Sequence, residues 1–381
     1  MHDVAVIGGS IAGAAIAIHL AARGLDVVVL ERAPDVRPKA CGEGLFPLGV
    51  AELERLGVMP ALAPHSRAID TLRFVAAEEH ADATLGIDGR HALGVDRVQL
   101  VRALLDRARA AGADVRTGVT VRDLRWDSDR VRAASTDAGD VEARTFVAAD
   151  GLGSRIRRLA GLDAPARGHR YGVSAHVEAA YDLPPRIEVT VLPAREIYVT
   201  PLTDRVANVA VLASRGRIGD FAQPDAFAAA VRAMPSLAGA RIVREPLAAG
   251  PFPARCTRAW RGNLVLAGDA AGFFDGISGE GLSLALRTAP ACTAAVAGYL
   301  HTGDERAFAA YDRRRRAAAR SSELLARVTL ALARDRRIAA FAIRNMRRRP
   351  TTFDRLVAIS SSELPLRALR PHDLPALLLG L

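Results

Sequence analysis

Six residues near the amino end, Gly8-Gly9-Ser10-Ile11-Ala12-Gly13, carry the strongest chemical signal in the chain. A glycine-rich turn between a strand and a helix lets backbone N–H groups face a diphosphate at the positive end of the helix dipole. Gly8 permits the tight turn, and a small residue at position 10 lets the backbone approach the phosphates. Gly13 lets the helix pack closely on the strand. Ser10 stands where the usual fingerprint has its second glycine. Glu31 follows about 20 residues on, with Arg32 beside it; a carboxylate at that distance accepts hydrogen bonds from an adenosine ribose. Strand, turn, helix, strand and acid together describe an adenine-dinucleotide site. NAD and FAD fit it equally well.

Two further segments separate these cofactors. Asp150-Gly151-Leu152-Gly153-Ser154-Arg155-Ile156-Arg157 has the form DGxxSxxR, and Gly262–Gly272 has an apolar strand running into Gly268-Asp269-Ala270-Ala271-Gly272. At these residues the chain resembles the para-hydroxybenzoate-hydroxylase-like flavoprotein superfamily, which includes aromatic hydroxylases, flavin-dependent halogenases and geranylgeranyl reductases. The resemblance implies FAD as cofactor. It implies that Asp269, after Gly268, bonds the ribityl chain, and that Asp150 and Arg157 knit the flavin region together. It also implies that Arg97 and Gln99 contact the flavin from their helix. Gly279-Glu280-Gly281 then opens a helix at Leu282. A helix start aimed at the pyrimidine end of the isoalloxazine stabilises the negative charge that develops on reduction.

The resemblance leaves the reaction open. Only one dinucleotide fingerprint is present, so the reductant is expected to be NAD(P)H docking transiently, or a separate reductase. Halogenation is disfavoured because the chain's one lysine, Lys39, belongs to the loop before Cys41 and Trp126 and Trp260 stand isolated. The loop Lys39–Leu45 and the segment Phe274–Gly281 are most similar to the geranylgeranyl reductase branch, in which Cys41 would face the flavin as the catalytic residue. The aromatic signature of that branch is absent at Tyr198-Val199-Thr200-Pro201. Hydroxylation of an aromatic or lipophilic metabolite therefore leads, since it requires a dry pocket and a rigid flavin more than particular side chains. Reduction of a prenyl double bond is second, and a flavin-containing docking protein third. Tyr171, His176, Tyr198 and Pro201 are the expected pocket residues.

These residues need elements to hold them. Val4–Ile7 and Val27–Leu30 are continuous apolar runs, as strands buried on both faces are. They flank an Ala-rich helix from about Ala12 to Arg23, which Gly24 ends. A second helix is predicted from an Asp96 cap to Gly112. Short strands are predicted over 115–124, 131–135 and 142–148, then in a dense group over 171–177, 187–192, 196–201 and 206–212. The expected fold is α/β: a Rossmann-like FAD-binding domain, an inserted, mostly antiparallel β-sheet substrate domain, and C-terminal helices. The expected boundaries are 1–67, 95–167 and 250–300 for the first, 68–94 and 168–249 for the second, and 301–381 for the third.

Composition sets the outer limits. The 381 residues are 50% hydrophobic and 25% charged, which suits packed domains rather than disorder. No apolar run reaches the ~18 residues of a membrane span. The start shows no signal-peptide pattern, and three scattered cysteines suit a reducing compartment; a cytoplasmic enzyme is expected. Nine histidines form no ligand cluster, so no metal is expected. Of the net charge of +10, the segment from His301 contributes +9, with 17 Arg against 8 acidic residues. That segment is either a solvated Arg-rich face or a contact surface for an anionic membrane or carrier protein. The expected partner is a small aromatic or prenylated molecule rather than nucleic acid.

Overall fold

In the computed structural model, residues 1–379 are described, apart from Arg167 and Ala233. Strands β1 (His2–Ile7) and β2 (Val27–Glu31) lie side by side in parallel at the middle of one sheet. Residues 4–7 and 27–30 are buried throughout, which is why both runs are apolar at every position. From one edge the sheet runs β17 (Trp260–Arg261), β18 (Leu264–Leu266), β11 (Gly139–Ala148), β1, β2 and β8 (Asp114–Thr117). A hairpin of β9 (Val121–Asp127) and β10 (Arg130–Thr136) feeds into β11. The run predicted as one strand over 115–124 is two, because Gly118 at φ +75° turns the chain between β8 and β9. Helix α1 (Ile11–Ala21) packs on this sheet, with α2 (Pro47–Leu56), α3 (Met59–Leu62), α4 (Arg97–Ala110) and α5 (Arg155–Leu159) around the same domain.

The second sheet runs β16 (Arg241–Phe252), β12 (Arg170–Glu178), β15 (Val206–Ser214), β14 (Arg195–Pro201), β13 (Arg186–Leu192), β5 (Thr71–Ala76) and β6 (Glu79–Thr84). Its pairs are antiparallel except β13 with β5. Strand β16 carries no clear sequence signal: it is an edge strand, where Pro246 and Pro251 cost no ladder hydrogen bond. The expected boundary at 249/250 falls inside it. A small sheet of β3 (Gly44–Leu45), β7 (Ala92–Val95) and β4 (Ser66–Ile69) joins the two large ones.

Along each strand of the second sheet, successive side chains alternate between faces. The odd-numbered Val173, Ala175, Ile197, Val199, Val209 and Val211 form a core with Phe227 and Val231 of α7 (Pro224–Arg232), which follows the short α6 (Arg215–Ile218). The opposite face, with Leu72, Ile187, Val189 and Val191, packs against the chain's last helices. These are α9 (Arg306–Leu332), α10 (Arg336–Arg348), α11 (Pro350–Ser360) and α12 (Asp373–Leu379). Helix α8 (Gly281–Thr302) links the domains; it packs on α1, α2 and α9 and crosses the expected boundary at 300.

Candidate active site

The turn after β1 is as compact as its glycines allow. Gly8 has φ +104°, and a Cβ there would lie 2.5 Å from the Ala149 carbonyl oxygen. A Cβ on Gly13 would lie 1.9 Å from the Gly8 carbonyl oxygen, so the helix meets the strand only because position 13 has none. Gly13 thus supports the turn from behind, while Gly8, Ser10, Ile11 and Ala12 line a cavity at the first turn of α1, where backbone N–H groups lack intrahelical partners. The Ser10 hydroxyl accepts a hydrogen bond from Arg97 Nη2 at 2.9 Å. Glu31 is held by the Gly9 and Ala33 amides at 2.8 and 3.0 Å, one on each oxygen. An ionised carboxylate held this way keeps spare lone pairs for further donors. Glu31 and Arg32 both face the cavity.

On the opposite wall, Gly268 at φ +56° brings the backbone against α1; a Cβ there would lie 2.8 Å from that of Ala12. Asp269 follows. Its carboxylate faces the cavity with no hydrogen-bond or ion-pair partner among the described residues. Burial raises its pKa to about 6, against the opposing pull of Arg97 and Lys39. Gly279 (φ +65°), Gly281 and Leu282 bring the start of α8 to the same cavity.

Two residues of the DGxxSxxR segment work in separate places. Asp150 lines the cavity, accepting from the Ile156 amide (3.1 Å) and from the hydroxyl of Ser154 (2.5 Å), the residue that caps α5. Arg157 is buried behind it, donating to Asp163 (2.6 Å) and to the carbonyls of Ala270 (3.0 Å) and Leu152 (3.2 Å). The two residues do not touch each other: Asp150 holds the start of α5, and Arg157 ties α5 to the loop at Ala270. Gln99 does not reach the cavity; its amide is one of two capped by Asp96.

The cavity, about 730 Å³, continues from this crevice along the face of the second sheet that carries the even-numbered residues of β12, β14 and β15. Gly172, Ser174, Tyr198, Thr200, Ala210 and Leu212 line it, and it ends among Leu332, Ala339, Ile343, Met346, Phe353 and Leu377 of the last helices. Strand parity decides which of the expected pocket residues line this cavity. Tyr198 lines the cavity and donates its hydroxyl to the Ile277 carbonyl at 2.7 Å, tying β14 to the loop before α8. Tyr171 and Pro201 have the opposite parity and do not line it; Tyr171 packs in the odd-numbered core.

His176 has the cavity's parity but lies beyond it, where its Nε2 donates to Glu43 Oε2 at 2.5 Å. The other Glu43 oxygen accepts the Arg97 amide (2.9 Å), and Arg244 reaches the same cluster, donating to Asp96 at 2.9 Å. Glu43, missed in the sequence reading, is the hub of this network; it is buried and holds a positive φ of 54°. Its proximity to Cys41 was the available signal. Cys41 lines the cavity on the same loop. Its amide donates to Ser174 Oγ (3.0 Å), its carbonyl accepts from Asn208 (2.7 Å), and burial pushes the thiol pKa up. Lys39 faces the cavity with Arg32 and Arg97, at the Glu31 end of the crevice. Among the described residues no group of three or more His, Cys, Asp or Glu is placed to hold a metal ion.

A cradle that a Cβ would fill, an unpartnered carboxylate across from it and a helix start beyond fit a flavin dinucleotide. Comparison with known proteins agrees. The family model described as an FAD binding domain matches residues 1–325. The phenazine 1,6-dicarboxylic acid hydroxylase PhzS of Lysobacter antibioticus is 31% identical over 172 residues, 41% of this chain and 42% of that protein. Digeranylgeranylglycerophospholipid reductase 2 of Methanosphaera stadtmanae is 24% identical over 300 residues, 75% of each chain. Among solved structures, a flavoprotein/dehydrogenase from Cytophaga hutchinsonii superposes with a TM-score of 0.82 at 20% identity, covering 95% of this chain and 93% of that one. The flavin-dependent brominase Bmp2 gives 0.82 at 19%, covering 94% and 93%. The matches span a third to about half the length of the first curated monooxygenase relatives.

Proposed function

From the premise that the chain belongs to the FAD-binding domain family, and is an FAD-dependent oxidoreductase, we propose that it is an NAD(P)H-dependent monooxygenase of an elongated lipophilic or aromatic metabolite. The observation that carries this reading is the cavity opening off the flavin crevice: its far half is walled by aliphatic and aromatic side chains of β5, β13 and the last helices.

FAD supplies two-electron redox chemistry when bound. Gly8, Ser10, Ile11 and Ala12 would hold its diphosphate, Glu31 a ribose and Asp269 the ribityl hydroxyls. Arg97 would steady Ser10 against the phosphates. The start of α8 at Gly279, Gly281 and Leu282 would face the ring and favour negative charge there. The apolar walls would exclude water from the place where a substrate would lie. In the test, purified holoprotein is given NADPH or NADH with aromatic and long-chain compounds while oxygen uptake is followed. A product carrying one added oxygen atom, with matching oxygen consumption, supports the reading; turnover without oxygen uptake refutes it.

Cys41 favours a second reading, reduction of a carbon–carbon double bond. That reaction needs a proton delivered to one carbon inside an apolar space, and a buried thiol kept protonated on the cavity wall is a source of one. The relative that covers three quarters of both chains bears a reductase name. A Cys41→Ala protein that keeps its flavin separates the two: hydroxylation survives the change, and double-bond reduction falls by about 10²–10⁴-fold, the usual contribution of a general acid.

A further inference from the structure

The outer wall of the cavity is also the most unusual surface of the molecule. Helix α10 turns Ala339, Ile343 and Met346 inward to the cavity. Outward, Arg337, Ile338, Phe341, Arg344 and Arg348 follow at helical spacing on one face. Ile338 and Phe341 are 51% and 42% exposed, two of the few large apolar residues left in solvent. Helix α10 itself holds five arginines and no acid. Arg344 and Arg347 pair with Glu79 at 2.9 and 3.1 Å. Arg337 and Arg348, like the neighbouring Arg334 and Arg336, are exposed and form no ion pair among the described residues.

We propose that α10 docks the protein on an anionic lipid bilayer, so that the apolar end of the cavity faces the lipid phase. Apolar side chains flanked by arginines on one helix face are the pattern of a helix that lies in a membrane interface: the apolar groups enter the headgroup–acyl boundary, and the guanidiniums pair with lipid phosphates. An acidic protein partner would account for the arginines but leave Ile338 and Phe341 unexplained. Among the described residues no helix is long and apolar enough to cross a membrane, so the contact is peripheral. The proposal rests on the lipophilic-substrate reading for its purpose but not for its test.

The test is flotation of holoprotein with phosphatidylcholine vesicles, with and without phosphatidylglycerol, at low and high salt. The expected result is flotation with the anionic vesicles alone, lost at high salt. The Ile338→Ser/Phe341→Ser double variant and, separately, Arg337→Gln/Arg348→Gln should each lower the floated fraction by about tenfold, with flavin content unchanged. These side chains are exposed, so the variants are expected to fold. Failure of the wild type to float, equal flotation by the variants, or binding to an acidic protein instead would overturn the proposal. Turnover of a soluble lipophilic substrate without flotation would do so while leaving the enzymatic reading intact.

Discussion

At Asp269 a carboxylate faces the cavity without a protein partner, and burial lifts its pKa to about 6. Because the folded-state value lies above the unfolded one, the ligand-free protein binds this proton more tightly than the unfolded chain. Its stability therefore falls as pH rises from about 4 toward 6, and the loss is complete above that window. Asp269→Asn should raise the melting temperature of the apoprotein at pH 8, and the difference should vanish below pH 4. The same variant should lose bound flavin, read as the 450 nm absorbance per protein, if the carboxylate holds the ribityl chain. The residue would then be selected for its ligand at a cost to the empty fold. Glu43, unlike Asp269, has both its oxygens bonded inside the protein. Glu43→Ala leaves His176 and the start of α4 without their acceptor, and should destabilise the protein by about 3–5 kcal/mol in urea unfolding. This network was not visible in the sequence, because its members lie on four separate segments. Glu31 and the glycines were, because turn geometry binds each of them to one local pattern, and Asp269 was named through the resemblance of its segment.

At the scale of elements, local patterns were legible and edge elements were not. The βαβ start could be read because the buried stretches 4–7 and 27–30 are apolar at every position and glycines flank the helix between them. Its test is steric: Gly13→Val would force side-chain atoms into the Gly8 carbonyl, separating α1 from β1. Soluble yield and flavin content should both collapse, whereas Gly24→Ala, with open space around its Cβ position, should retain flavin at a cost of about 1 kcal/mol for its positive φ. The pocket was half legible. Strand positions were found, but not which parity lined the cavity, since the odd face of β12, β14 and β15 is as well buried as the even one. A strand covered on both sides loses the polar alternation that would name its inner face. Tyr171 and Pro201 were lost for that reason.

For the whole molecule, the sequence left the basic C-terminal segment open between a solvated Arg-rich face and a contact surface for a membrane or carrier protein. In the structure it forms the far wall of the cavity, so helices without any cofactor motif would set the length of what can bind. A bulky residue there should act as a stop. Ala339→Trp is expected to leave flavin content and flavin reduction unchanged, and to lower kcat/KM for long substrates by at least about tenfold relative to short ones. Equal losses for both would show that the far half of the cavity carries no substrate.

Alternation along β12, β14 and β15 has one more consequence. Odd positions hold the sheet to α7, and even positions wall the cavity, so the two jobs fall on different letters of the same strands. A lineage could exchange Thr200, Ala210 or Leu212 and acquire a new diet while its scaffold stayed as it was. Related proteins with the same architecture and dissimilar chemistries are what such a division of labour would leave behind.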